Sequence, residues 1–118
     1  MSRRTDRVAE LIRAEVSRIL RQETTDPRLR LVTVTHVHVS PDLGHAQVYW
    51  SCLSGDDDEN LERVSQALEG ASGFMRRQLA EVLPLRRAPA LRFRHDPSMV
   101  LGSRTLATLR GMRDESAE

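Results

Sequence analysis

The segment from Leu31 to Cys52 constrains the fold most, because it has the pattern of a complete β-hairpin. Its sequence is LVTVTHVHVS, then PDLG, then HAQVYWSC. β-Branched and polar residues alternate in both outer parts, and Pro41 and Gly44 are typical turn residues. The inward face of the second strand is expected to comprise Ala46, Val48, Trp50 and Cys52. A chain built around such a hairpin must cover one face of it with other elements.

The alternation in the first strand slips by one residue. Val32 and Val34 share one parity, whereas Val37 and Val39 share the other. A strand with one buried face keeps a single parity unless its pleat is interrupted. The pattern therefore predicts a β-bulge or a strong twist near Thr35 and His36.

Apolar residues recur every three or four positions on both sides of the hairpin, which is the period of an amphipathic helix. The stripe before the hairpin predicts a helix from about Asp6 to Glu23, which Pro27 ends. The stripe after the hairpin comprises Leu61, Val64, Leu68, Ala71, Met75, Leu79 and Val82. A third strand is expected over Ala90–His95, and a short C-terminal helix over Ser98–Arg110.

Two glycines, Gly70 and Gly73, lie within the second stripe although its phase continues across them. Each glycine in a helix interior costs roughly 0.5–1 kcal/mol relative to alanine. We therefore expect two helices that share one apolar face and meet at a kink at Ala71, Ser72 and Gly73. The N-terminus of the second helix would then present free N–H groups to a phosphate, just before Arg76 and Arg77.

These elements predict an α+β fold with the order αββααβ and a short C-terminal helix. The helix-containing crossover returns the third strand parallel to a neighbour, which gives a three-stranded mixed sheet with the helices packed on one face. The length of 118 residues suggests one domain. We assign it to residues 1–110 and expect residues 111–118 to be a disordered tail. A lone cysteine, Cys52, fits a reducing, cytoplasmic setting, and nothing in the sequence demands more than a monomer.

Charge is strongly segregated along the chain. Residues 42–73 carry seven acids and one arginine, whereas residues 74–95 carry six arginines and one glutamate. All 18 cationic residues are arginines, whose planar guanidinium groups bind phosphate in a bidentate manner. The predicted RNA-binding residues are Arg76, Arg77, Arg86, Arg87, Arg92 and Arg94, with Arg3, Arg4 and Arg7 as a basic N-terminal arm. The alternative for these arginines is a solvated basic surface paired with the acidic segment.

Five segments, in this order, resemble the ribosome-binding factor A family from about Ser2 to Leu109. They are RVAELIRAEVSRIL, DPRL, VTVTHVHVSPDLGHAQVYWS, GFMRRQLA and LRRAPALRFRHDPS. The family fold is similar to the type II KH domain and carries an interhelical Ala-x-Gly kink, which Ala71, Ser72 and Gly73 match.

The resemblance implies a non-enzymatic factor with no cofactor. Members of this family assist late maturation of the small ribosomal subunit. They bind free small subunits, support processing of the 16S rRNA precursor and act near the 5′-terminal helix region of that rRNA. The family offers no catalytic residues to assign.

Other functions have weaker support in the residues. His36 and His38 share one strand face, with His45 across the hairpin, but no carboxylate or cysteine at matching parity completes a metal site. An exposed strand face or RNA contacts explain these histidines better than a metal does. Phe74 is expected to pack rather than to stack on a base. The acidic segment 42–69 could instead dock a basic protein partner, which is the alternative function. No residue spacing indicates a catalytic site.

Overall fold

The computed structural model describes residues 3–53 and 57–97, which form an α+β fold. The elements in chain order are α1 (Arg3–Gln22), a short 3-10 helix (Pro27–Leu29), β1 (Val32–Val39), β2 (His45–Cys52), α2 (Asp58–Val82) and β3 (Ala90–His95). The predicted final helix and the tail at 111–118 lie outside the described residues.

The three strands form one mixed sheet in the order β1-β2-β3, as predicted. β1 and β2 are antiparallel, and β3 runs parallel to β2. The register of β1 against β2 shifts between Val34 and His36, so the extra residue of the bulge is Thr35, where the change of parity placed it. The bulge lets valines on both sides of it face the helices.

The core lies between the sheet and the two helices, with α1 packed against β1 and α2 against β3. Its most completely buried apolar side chains are Ile12, Val16, Ile19, Leu29, Val48, Trp50, Val64, Leu68, Met75 and Leu79. Phe74 is partly buried and packs against this core, as expected. Val82, the last residue of the predicted stripe, does not pack against the core. It is 49% exposed, because it is the last residue of α2.

The N-terminal arginines form the first turns of a helix rather than an extended arm. α1 already includes Arg3 and Arg4, three residues before the predicted start. Arginine is a good helix former, and no Gly or Pro separates it from the apolar stripe. Thr5, which is 8% exposed, anchors this turn against the rest of the protein.

The two helices expected to meet at Ala71, Ser72 and Gly73 are one continuous helix of 25 residues. An added Cβ at Gly70 would meet no atom within 4 Å, and at Gly73 it would meet only the Arg77 side chain at 3.6 Å. Neither glycine is therefore needed for a close contact. The burial of Leu68, Met75 and their neighbours on one apolar face outweighs two propensity penalties of about 1 kcal/mol each.

Candidate nucleic-acid interface

The C-terminal half of α2 and the loop that follows it form a shallow basic groove of about 400 Å³. Its lining residues are Gly73, Arg76, Arg77, Ala80, Arg87 and Ala88. Gly73 has no side chain, and Ala80 and Ala88 each have only a methyl group, so the floor stays open while the guanidinium groups supply the charge. We call this site the helix groove.

A hydrogen bond fixes the shape of the helix groove. Arg76 Nε donates to the carbonyl oxygen of Ala88 at 3.1 Å, which ties α2 to the loop. A guanidinium has five N–H donors, so the Arg76 amino groups retain their capacity to bind a phosphate.

The predicted phosphate site at a second helix N-terminus does not exist. Because α2 is continuous from Asp58 to Val82, the N–H groups after Gly73 lie in a helix interior and not at a free end. Any anion in the helix groove must therefore be held by side chains.

The arginines of α1 lie beside the same loop. Arg3, Arg4 and Arg7 line a second cavity, of about 620 Å³, together with Val8, Pro84 and Leu85. Arg86 is exposed on the loop between Leu85 of this cavity and Arg87 of the helix groove. The structure thus joins residues from opposite ends of the chain into one basic region, which the sequence alone did not predict.

Arg92 and Arg94 belong to a different place. They are exposed on β3 and line a cavity of about 500 Å³ with Ser65, Glu69, Phe93 and His95. The helix groove, in contrast, is lined by the C-terminal half of α2 and by the loop that follows it, and contains no residue of β3. The six arginines of residues 74–95 therefore form two sites, not one patch.

All nine predicted arginines are exposed. Within residues 3–53 and 57–97, none of them forms an ion pair with a carboxylate. The arginines that do are Arg13, Arg18, Arg28 and Arg63, each with an acid within five residues in sequence. The structure does not support the alternative in which the basic segment pairs with the acidic one.

Two acids of the 42–69 segment have structural roles. Asp42 accepts hydrogen bonds from Ser40 Oγ at 2.7 Å and from the Gly44 N–H at 2.9 Å, which lowers the pKa of its carboxyl and closes the hairpin turn. Asp57 caps α2 by accepting from the Asn60 N–H at 2.9 Å. These bonds explain both acids without a protein partner.

His36, His38 and His45 occupy the helix-free face of the sheet. His36 stacks on Tyr49 of β2 with ring centroids 4.1 Å apart, and its Nδ1 lies 3.7 Å from Asp96 Oδ2. His38 pairs with Gln47, and His45 begins β2 opposite Ala90. Among the described residues, no three His, Cys, Asp or Glu side chains lie close enough to hold a metal ion.

A family model described as ribosome-binding factor A matches residues 4–109. The chain belongs to the ribosome-binding factor A family. The ribosome-binding factor A of Marinomonas sp. strain MWYL1 is 42% identical over 117 residues, which cover 98% of this chain and 91% of that protein. The one from Alkalilimnicola ehrlichii is 42% identical over 115 residues, with 98% and 85% covered.

Solved structures of ribosome-binding factor A have the same fold. The crystal structure of the factor from Thermus thermophilus gives a TM-score of 0.66 at 26% identity, over 77% of this chain and 94% of that one. A homology model of the Thermus thermophilus factor, fitted into the cryo-EM map of its complex with the 30S subunit, gives 0.54 at 29% identity, over 74% and 93%. The KH-like α+β fold inferred from the sequence is confirmed.

The sequence did not single out Tyr49, nor did it predict that Thr35 Oγ1 donates a hydrogen bond to Asp96 Oδ2 at 2.7 Å. Tyr49 lies in an alternating strand with no neighbouring aromatic on its own parity. Its partner His36 is known only once the register across the bulge is known.

No helix among the residues described is long and apolar enough to cross a membrane.

Proposed function

We propose that this protein is a non-enzymatic, monomeric assembly factor that binds the free small ribosomal subunit in the cytoplasm. In this role it assists late 30S maturation and supports processing of the 16S rRNA precursor, near the 5′-terminal helix region. Residues 1–110 constitute the binding domain. The relative from Thermus thermophilus, fitted into a map of a 30S complex, supports the choice of partner.

The observation that carries the proposal is the set of exposed arginines without carboxylate partners in and around the loop 83–89. Arg77, Arg86 and Arg87 have no acid within ion-pair distance among the described residues, so binding a phosphate breaks no existing ion pair there. A protein that neutralises several phosphates gains affinity from the release of counterions. Such a surface recognises the backbone and shape of RNA rather than a base sequence.

The test is co-sedimentation of the purified protein with free 30S subunits. The variant Arg77→Glu/Arg86→Glu/Arg87→Glu should lose binding and retain a native circular-dichroism spectrum. Affinity of the unchanged protein should fall steeply between 50 and 200 mM salt, by on the order of tenfold or more.

The matched control reverses the same number of charges elsewhere. Arg13→Glu/Arg30→Glu/Arg63→Glu changes the net charge equally, at exposed positions outside the helix groove. This control should bind nearly as well as the unchanged protein. Equal loss in both variants would mean that only net charge matters, and no loss in the first would place the site elsewhere.

A further inference from the structure

The sheet face that carries no helix brings six side chains together in two rows. Register pairs His36 with Tyr49 and Tyr49 with Arg94, and it pairs His38 with Gln47 and Gln47 with Arg92. We call these six residues the sheet platform. All have the parity opposite to Val37, Val48 and Phe93 of the same strands, of which Val48 is buried in the core and the other two are partly buried against it.

The sheet platform combines an aromatic stack with a pair of cations. The His36 and Tyr49 rings are 4.1 Å apart and within 11° of parallel, and the His36 side chain is 58% exposed. The Tyr49 hydroxyl donates to Gln47 Oε1 at 2.7 Å, which fixes the tyrosine ring. Because one face of Tyr49 is covered by His36, a further ring can extend the stack over the exposed imidazole.

No member of the sheet platform is acidic, although Glu69 of α2 lines the cavity beside Arg92 and Arg94. Asp96, which lies 3.7 Å from His36, is largely buried and accepts a hydrogen bond from Thr35 Oγ1 at 2.7 Å. Arg92 and Arg94 are two residues apart on one strand, so their backbones are about 7 Å apart along it. The surface therefore complements a ligand that has flat rings on one side and repeated negative charges on the other.

We infer that the sheet platform binds a single-stranded segment of RNA, with a base stacked on His36 and Tyr49 and phosphates at Arg92 and Arg94. Base-paired RNA hides the faces of its bases, so a duplex can use the arginines but not the stack. Stacking on aromatic rings tolerates any base. This inference rests on the proposed function and names the class of RNA structure that the second site selects.

The experiment measures fluorescence anisotropy of a labelled, mixed-sequence 10-nucleotide RNA that cannot pair with itself, and of the same strand annealed to its complement. The unchanged protein should bind the single strand more tightly than the duplex. His36→Ala and Tyr49→Leu should each weaken single-strand binding by on the order of tenfold and leave duplex binding unaltered. The conservative variant Tyr49→Phe keeps the ring and should retain affinity.

The salt dependence of the affinity separates phosphate contacts from base stacking. Arg92→Ala/Arg94→Ala should lower the slope of log affinity against log salt by roughly 1.4, because each phosphate contact on a single strand contributes about 0.7. His36→Ala should leave that slope unchanged. His36 is exposed, so its variant tests the stack even where Tyr49→Leu lowers stability.

Equal affinity for the single strand and the duplex, or unaltered single-strand binding in His36→Ala and in a native-like Tyr49→Leu, would overturn the inference. So would side-chain NMR signals of His36 and Tyr49 that stay fixed when RNA is added, as expected if a peptide or another part of this chain covers the face. Co-sedimentation with 30S subunits is scored separately. Retained 30S binding without single-strand preference removes only the sheet platform, whereas loss of 30S binding by the unchanged protein removes the proposed function.

Discussion

Arg76 Nε donates a hydrogen bond to the carbonyl oxygen of Ala88. This arginine of the basic segment therefore stabilises the fold in addition to supplying positive charge. Arg77, its neighbour on α2, is exposed and has no such bond to the loop among the described contacts. Two adjacent arginines of one groove therefore have separable roles.

Arg76→Ala should destabilise the protein by about 1 kcal/mol, the usual net value of one intramolecular hydrogen bond. Arg77→Ala should leave the free energy of unfolding within about 0.5 kcal/mol of its original value, as exposed substitutions usually do. Urea unfolding followed by circular dichroism measures both. Equal stabilities of the two variants would show that the bond to Ala88 contributes nothing.

Gly70→Ala and Gly73→Ala should each stabilise the protein by roughly 0.5–1 kcal/mol. The reason is that α2 is continuous and a Cβ at either position meets no backbone. Thermal unfolding measures the change as a rise of a few degrees in Tm. A lower Tm for Gly73→Ala alone would show that the protein in solution bends its helix at this residue.

Thr35→Val should destabilise the protein by about 1–3 kcal/mol, since it removes a hydroxyl that donates to the buried Asp96 carboxyl group. Thr33 is exposed on the same strand, so Thr33→Val is the matched control and should have little effect. Chemical unfolding of both variants makes the comparison. A similar loss of stability in Thr33→Val would show that the introduced valine, and not the lost hydrogen bond, destabilises the protein.

Acidification should weaken the fold partly through Glu15. Hydrogen bonds from Arg18, one of them 2.6 Å long, lower the pKa of the Glu15 carboxyl below its usual range. Since the folded-state pKa is the lower one, this stabilisation is complete above the unfolded-state pKa of about 4.3 and is lost as the pH falls through the folded-state value.

The variant Glu15→Gln tests this linkage. It should be less stable than the unchanged protein at pH 7, and the difference should shrink as the pH falls below about 4. Urea unfolding at a series of pH values gives the two curves. Parallel curves at all pH values would exclude a contribution from the ion pair with Arg18.

Local patterns in the sequence predicted the sheet well. The parity change between Val34 and Val37 located the irregularity near Thr35 and His36, and the register of the strands shows that it is a β-bulge rather than a twist alone. The stripe from Leu61 to Val82 likewise predicted the apolar face of α2, except for Val82, which is exposed.

Local patterns did not predict that α2 is continuous. Gly70 and Gly73 argue for a break by local propensity, and only the packing of Leu68 and Met75 on a common core decides against it. The candidate interface was harder still. Which arginines share a groove depends on where the loop 83–89 returns, and the meeting of Tyr49 with His36 depends on register across the bulge.

The unbroken α2 also sets how the molecule approaches a polyanion. Its first turn carries Glu59 and its last third carries Arg77, 18 residues further on, which at the rise of an α-helix is about 27 Å. That separation exceeds three Debye lengths at physiological salt, about 8 Å each, so the acidic end hardly weakens contacts made at the basic end. In the proposed function, the opposite charges at the two ends of α2 would turn its arginines toward the phosphates as the protein approaches the RNA.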